Sequence, residues 1–139
     1  REIQLTFNDL QTAAANTEAV VQVGAGAVLG SGYLCSAAGA YTGAGAIVDD
    51  SSRGFLLFDA PSYDTGMFLN GVLRLTRPSS ASNTWIANGQ SCIVSSLGTV
   101  ALGAVTIAGL LHVGGEITNF NLVNVVGQFS QGKLSLRWR

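Results

Sequence analysis

Apolar and polar residues alternate with period two along most of this chain, and they do so in short runs. Ile3, Leu5 and Phe7 alternate with Glu2, Gln4 and Thr6, which predicts a strand with one face on a core. Further strands are expected at 19–23, 27–29 and 33–36, in the fully apolar run 55–58, and at 84–87, 90–97, 99–111, 120–126 and 133–139. Between positions 9 and 18 helical propensity is fair but the apolar stripe is narrow, so at most a short helix is expected there. Gly, Asn and Pro punctuate the runs at roughly regular spacing. That grammar predicts an all-β domain of about 8–10 short strands with little helix, an antiparallel β-sandwich of jelly-roll-like kind filling 1–139.

The plainest local signal is at 65–78. Asn70-Gly71 separates the apolar runs 67–69 and 72–76 and is the dipeptide that most readily forms a type I′ turn, so a hairpin is expected. In that hairpin Leu69 faces Val72, Phe68 faces Leu73 and Met67 faces Arg74. Phe68 and Leu73 then fall on the core side. Met67, Leu69, Val72 and Arg74 fall on the other side, where the presence of Arg74 marks a partly exposed face or a subunit contact. The runs 55–58 and 99–111 are its expected sheet neighbours. Asn88-Gly89 offers a second strand and tight turn.

In the run 99–111, Val105, Ile107 and Leu111 point one way while Val100, Leu102 and Leu110 point the other. An apolar residue on each face is the mark of a strand covered on both sides or meeting a neighbouring subunit. The 17 residues 97–113 carry no formal charge, which raises a spanning helix, but Gly98, Gly103, Gly109 and the β-branched residues oppose it, so a membrane is not an expected partner. At the end, Leu134, Leu136 and Trp138 share one face and are expected to pack in the core, opposite Lys133, Ser135, Arg137 and Arg139.

Composition changes this picture in one respect. Only 11% of residues are charged, against about 25% in an ordinary soluble domain, and 18 are Gly. So few charges cover a lone monomer poorly, and a homo-oligomer or larger assembly is expected. The net charge of -1 supplies no basic footprint, so nucleic acid is not an expected partner. Arg1 reads as a processed or truncated end, and no signal-peptide pattern follows it.

Gly24-Ala-Gly26 follows a strand and Asp49 and Asp50 lie about 20 residues on, as in a dinucleotide fingerprint. However, Gly30, Gly32, Gly39, Gly43 and Gly45 would each cost the required helix about 1 kcal/mol. His112 is the single histidine and no G-x-S-x-G elbow accompanies it. Asp49, Asp50, Asp59 and Asp64 lack the spacing of a calcium loop, and Cys35 and Cys92 cannot assemble a zinc site. The two cysteines read as small buried thiols, with one disulfide as the alternative. The expectation is no enzyme, no metal and no cofactor. Aromatic residues leave a weaker opening: Tyr63, Trp85 and Trp138 together would make a sugar-stacking platform, but Trp138 shares the core face of Leu134 and Leu136, and Tyr63 in its polar loop is the better candidate for an exposed contact.

Three segments carry a resemblance. Trp85-Ile-Ala-Asn-Gly89, the apolar strand 100–111, and Gly127-Gln-Phe-Ser-Gln-Gly132 followed by the alternating strand to Arg139 resemble the C-terminal β-domains of tailed-bacteriophage virion surface proteins. The resemblance covers about residues 84–139 and is one of pattern. The nearly uncharged, Asn-rich stretch 117–126 departs from it. It implies a structural, oligomeric role at the virion surface, as a capsid decoration or cement protein contacting the major capsid protein. The alternatives are the distal domain of a tail fibre or spike that binds a host glycan or protein, and a small carbohydrate-binding module. The residues nominated for contact are Tyr63, Met67, Leu69, Val72, Arg74 and Trp85.

Overall fold

A computed structural model describes residues 1–13, 18–41, 45–59, 67–94, 101–124 and 127–139. Among the described residues ten strands are formed: β1 (Glu2–Thr12), β2 (Glu18–Gly24), β3 (Tyr33–Tyr41), β4 (Gly45–Ser51), β5 (Phe55–Asp59), β6 (Phe68–Thr76), β7 (Thr84–Val94), β8 (Ala101–His112), β9 (Asn119–Asn124) and β10 (Phe129–Trp138). They build a seven-stranded sheet in the order β10-β1-β6-β7-β8-β3-β4 and a three-stranded sheet in the order β5-β2-β9. Every pairing is antiparallel. The all-β sandwich expected from the alternation is the fold.

Its connectivity is nested. β1 pairs with β10, β2 with β9 and β3 with β8, and successive pairs alternate between the two sheets. A long hairpin rolled up on itself gives that order, which is the jelly-roll principle. The departure is the pair β6–β7, which lies between β1 and β8 and widens one sheet to seven strands.

The core follows from the period of two. Ile3, Leu5 and Phe7 turn inward from β1, Leu69, Leu73 and Leu75 from β6, Trp85, Ala87 and Ile93 from β7, and Val105, Ile107 and Leu111 from β8. Opposite them, Phe55, Leu56, Leu57 and Phe58 of β5 are buried on both faces. Each fully buried Leu, Ile or Phe contributes about 1.5–3 kcal/mol, so this layer is the main source of stability. After Phe7 the alternation slips by one: Asp9 takes a left-handed φ of 52°, the register with β6 jumps from Phe7 to Leu10, and Leu10 turns inward. This is a β-bulge. β1 continues through it to Thr12, so a strand stands over 9–12 where a short helix was allowed for, and 14–17 of that segment lie outside the described residues.

Two turns expected from the sequence are absent. β6 runs straight through Asn70-Gly71 and β7 straight through Asn88-Gly89. Asn-Gly forms a turn when its flanks have only each other to pair with. In β6, Gly71 is paired with Phe7 on one side and Ser91 on the other, so two ladders hold it extended. Consequently the neighbours of this segment are β1 and β7 rather than 55–58 and 99–111. Position 27–29 is likewise not a strand. No helix among the described residues is long and apolar enough to cross a membrane.

Candidate interaction surface

Straightening β6 reassigns its faces. Leu69, Gly71, Leu73 and Leu75 now share the inner side, and Phe68, Asn70, Val72 and Arg74 the outer side. Leu69 is 2% exposed and belongs to the core, which corrects its nomination as a contact residue. Phe68, expected in the core, is half-buried on the outer side. Val72 is half-buried and Arg74 exposed, both on the outer face. Met67 is half-buried against the core. Trp85 is 1% exposed, its Nε1–H donating to the Gly115 carbonyl at 3.2 Å, so its ring is a core element and offers no exposed contact. Tyr63 lies outside the described residues.

Groups capable of chemistry are placed for structure. The Tyr33 hydroxyl accepts from the Val23 N–H at 2.7 Å and donates to the Leu29 carbonyl at 2.9 Å, with the Val23 carbonyl at 3.1 Å. Burial pushes its pKa up, against the opposing effect of the Val23 N–H. Its ring meets Phe55 edge-on at 5.0 Å. The buried Cys35 thiol accepts from the Leu56 N–H at 3.2 Å and is likewise pushed up by burial. Ser91 donates to the Leu57 carbonyl at 2.6 Å. Cys35 faces inward and Cys92 lies on the outer side of β7, so both are free thiols on opposite faces of one sheet. His112 is exposed at the end of β8, across from Thr84. Among the described residues no three His, Cys, Asp or Glu side chains gather in a metal-binding group.

The surface is more informative than the interior. Among the described residues, six large apolar side chains are conspicuously exposed, and they fall into two groups of three. Leu34, Leu110 and Ile86 form one cross-strand row on the outer face of the large sheet, since Leu34 pairs with Leu110 and Leu110 with Ile86. The depression beside them holds about 670 Å³ and is lined also by Ser36, Asn88 and Ala108. Moving along β3, β8 and β7, the next outward residues are Ala38, Thr106 and Gln90, then Ala40, Ala104 and Cys92. None of these positions carries a charge. Leu110 was legible in advance from the two apolar faces of its strand. Leu34 was not, because Tyr33-Leu34-Cys35 is apolar throughout and gives no alternation to read.

Leu134, Leu136 and Trp138 are the second group, and here the expectation of core packing is corrected. They point to the same side as Phe7, Leu5 and Ile3, their partners on β1, and that side is the inner one. However, β10 is an edge strand and the three-stranded sheet does not extend far enough to cover it, leaving Trp138 56% exposed. Its ring meets the margin of the opposite layer at Phe120 of β9, edge-on at 5.9 Å.

Fold and surface together define an antiparallel β-sandwich with two uncovered apolar groups on its large sheet. No protein-family model matches the chain, and no curated protein or solved structure matches it either.

Proposed function

We propose that this chain is a non-enzymatic structural protein of a bacteriophage virion, a decoration or cement domain that strengthens a capsid by protein–protein contact. The observation that carries the reading is the uncharged outer face of β7, β8 and β3 with its apolar row Leu34–Leu110–Ile86. Apolar residues aligned across three strands, surrounded by Ala, Ser, Thr, Asn and Gln, make a flat layer that loses little by being desolvated. Large exposed apolar patches with polar rims mark interaction sites. The virion assignment is supported by the resemblance at 84–139, and the low charge of the whole chain agrees with a subunit that spends its life in contact with others.

The test uses the purified chain and empty shells assembled from the major capsid protein of the phage to which this reading assigns it. Saturable binding that raises the melting temperature of the shell is the expected result, with Leu110→Glu weakening it at least about tenfold while the urea midpoint of the free protein stays unchanged. Absence of shell binding, together with binding to a glycan array, would move the chain to a fibre tip or carbohydrate-binding module.

A further inference from the structure

The two flanks of the sandwich are built differently. On the flank of β5, polar ties join the layers: the Leu56 N–H reaches Cys35 Sγ of β3, and the Leu57 carbonyl receives the Ser91 hydroxyl of β7. On the other flank stand the edges of β9 and β10, one from each sheet, neither paired further among the described residues. Phe120 and Leu122 of β9 are half-buried there, and Leu134, Leu136 and Trp138 of β10 are exposed. This is an open seam with apolar walls and two rows of backbone groups facing outward, the arrangement that accepts an added strand.

Charge says which strand. β10 contains Lys133 and Arg137 and no acid, and Arg139 follows it, so three of the seven basic residues of the chain lie within its last seven positions. They occupy the outer face, alternating with the apolar residues of the inner one. Arg74 extends the band, since Gln4 of β1 pairs with Arg137 on one side and Arg74 on the other. Glu2 lies opposite Arg139, and Asp9 follows Asn8, the partner of Lys133. Among the described residues Lys133, Arg137 and Arg139 form no ion pair. A second copy fits this edge poorly in most registers: antiparallel pairing of β10 with itself centred on Ser135 sets Lys133 against Arg137, centring it on Leu136 sets Lys133 against Arg139, and centring it on Leu134 keeps the like charges apart. Like charges directly opposite one another destabilise a pair of strands.

We propose that β10 is a docking edge for an extended segment of a partner protein in which apolar residues alternate with acidic ones. The segment continues the seven-stranded sheet beyond β10. Its apolar side chains complete the layer of Leu134, Leu136 and Trp138, and its carboxylates lie beside Lys133 and Arg137. This surface is separate from the outer row of Leu34, Leu110 and Ile86, so the proposal goes beyond the capsid-binding reading and stands or falls without it.

The experiment uses the full chain and two fluorescein-labelled decapeptides of alternating valine and threonine, one with glutamate at two threonine positions and one with lysine there. Fluorescence anisotropy at low salt is expected to show the glutamate peptide binding at least about tenfold more tightly than the lysine peptide, with the advantage shrinking as salt is raised. Hydrogen exchange is expected to slow at β10 on binding. The exposed double variant Lys133→Glu/Arg137→Glu, checked for an unchanged urea midpoint, is expected to reverse the preference. Equal affinity for both peptides, no binding of either, or a preference that survives the double variant would overturn the proposal. So would a dimer in sedimentation that Leu136→Asp dissociates, since a second copy would then hold the edge, or a single-stranded oligonucleotide that competes as well as the glutamate peptide, since the edge would then be a general anion surface.

Discussion

Gly71 of β6 lies beneath the ring of Phe7 of β1, so close that a Cβ on Gly71 would stand 2.7 Å from Phe7 Cζ and would also run into the Gln90 carbonyl oxygen of β7. The glycine therefore makes room for an aromatic ring, and no turn is involved. Gly71→Ala is expected to destabilise the fold by about 1–3 kcal/mol through overpacking, read as a lower urea midpoint with an unchanged slope. Phe7→Leu opens part of that space. In a double-mutant cycle the two changes should cost less together than the sum of each alone. Strict additivity would show that the Gln90 backbone, and not the ring, sets the constraint.

The faces of β6 lead to a second expectation. Leu69 and Leu73 are both buried on the inner side, while Val72 sits half-buried on the outer side. Leu69→Asp and Leu73→Asp each put an unpaired carboxylate into the core, at a cost of about 4 kcal/mol or more, and both should yield unfolded or insoluble protein. Val72→Asp should fold. A hairpin at Asn70-Gly71 would give the opposite result for Leu69, so circular dichroism of Leu69→Asp separates the two arrangements.

These cases show what a period-two pattern can and cannot tell. Ile3, Leu5 and Phe7, or Val105, Ile107 and Leu111, declare their common face because alternation is a local property of one strand, and each of these sets is buried. Asn70-Gly71 misleads because turn formation is decided by competition: the dipeptide favours a turn in isolation, but β1 and β7 offer ladders to both sides of it. The bulge at Asp9 even uses this residue, since the Asp9 N–H donates to Asn70 Oδ1 at 2.9 Å. Leu134, Leu136 and Trp138 fail for a different reason. Their alternation correctly announces an inner face, but whether that face is covered depends on how many strands the opposite sheet has, which no residue of β10 encodes. The resulting error located the open seam.

The loop between β2 and β3 is tied inward by the Tyr33 hydroxyl and outward by Thr118 Oγ1, which accepts from the Gly26 N–H at 2.9 Å. Tyr33 holds the Val23 N–H and the Leu29 carbonyl from inside the core, and Leu29 N–H donates back to the Val23 carbonyl at 3.0 Å. Tyr33→Phe keeps the edge-on contact with Phe55 but leaves a buried N–H without its acceptor, a loss of about 1–3 kcal/mol. The expected signature is local: faster amide exchange and proteolysis at 24–32 with little change in the exchange of β6 and β7. Uniform acceleration across the sheet would mean that the hydroxyl supports global stability instead.

Burial of Cys35 and Tyr33 gives stability a dependence on alkaline pH. Both pKa values are raised by desolvation, with the N–H groups of Leu56 and Val23 acting in the opposite sense. The unfolded chain releases these protons near the ordinary values, about 8.5 for a thiol and 10 for a phenol, while the folded chain retains them to higher pH. In that window the native state binds more protons than the unfolded one, so stability falls as pH rises. The contribution is complete below the unfolded values and is lost as pH climbs through the folded ones. The urea midpoint should therefore be insensitive to these two groups between about pH 6 and 8 and should decline above about 8.5. Cys35→Ala should remove the first part of that decline and leave the later part, which belongs to Tyr33. Thiol titration supplies an independent check, because half-buried Cys92 should react in the native protein and Cys35 only after unfolding. An unchanged pH profile in Cys35→Ala, or equal reactivity of both thiols in the native state, would mean that the Cys35 thiol is not held between β3 and β5 as the 3.2 Å contact with Leu56 requires.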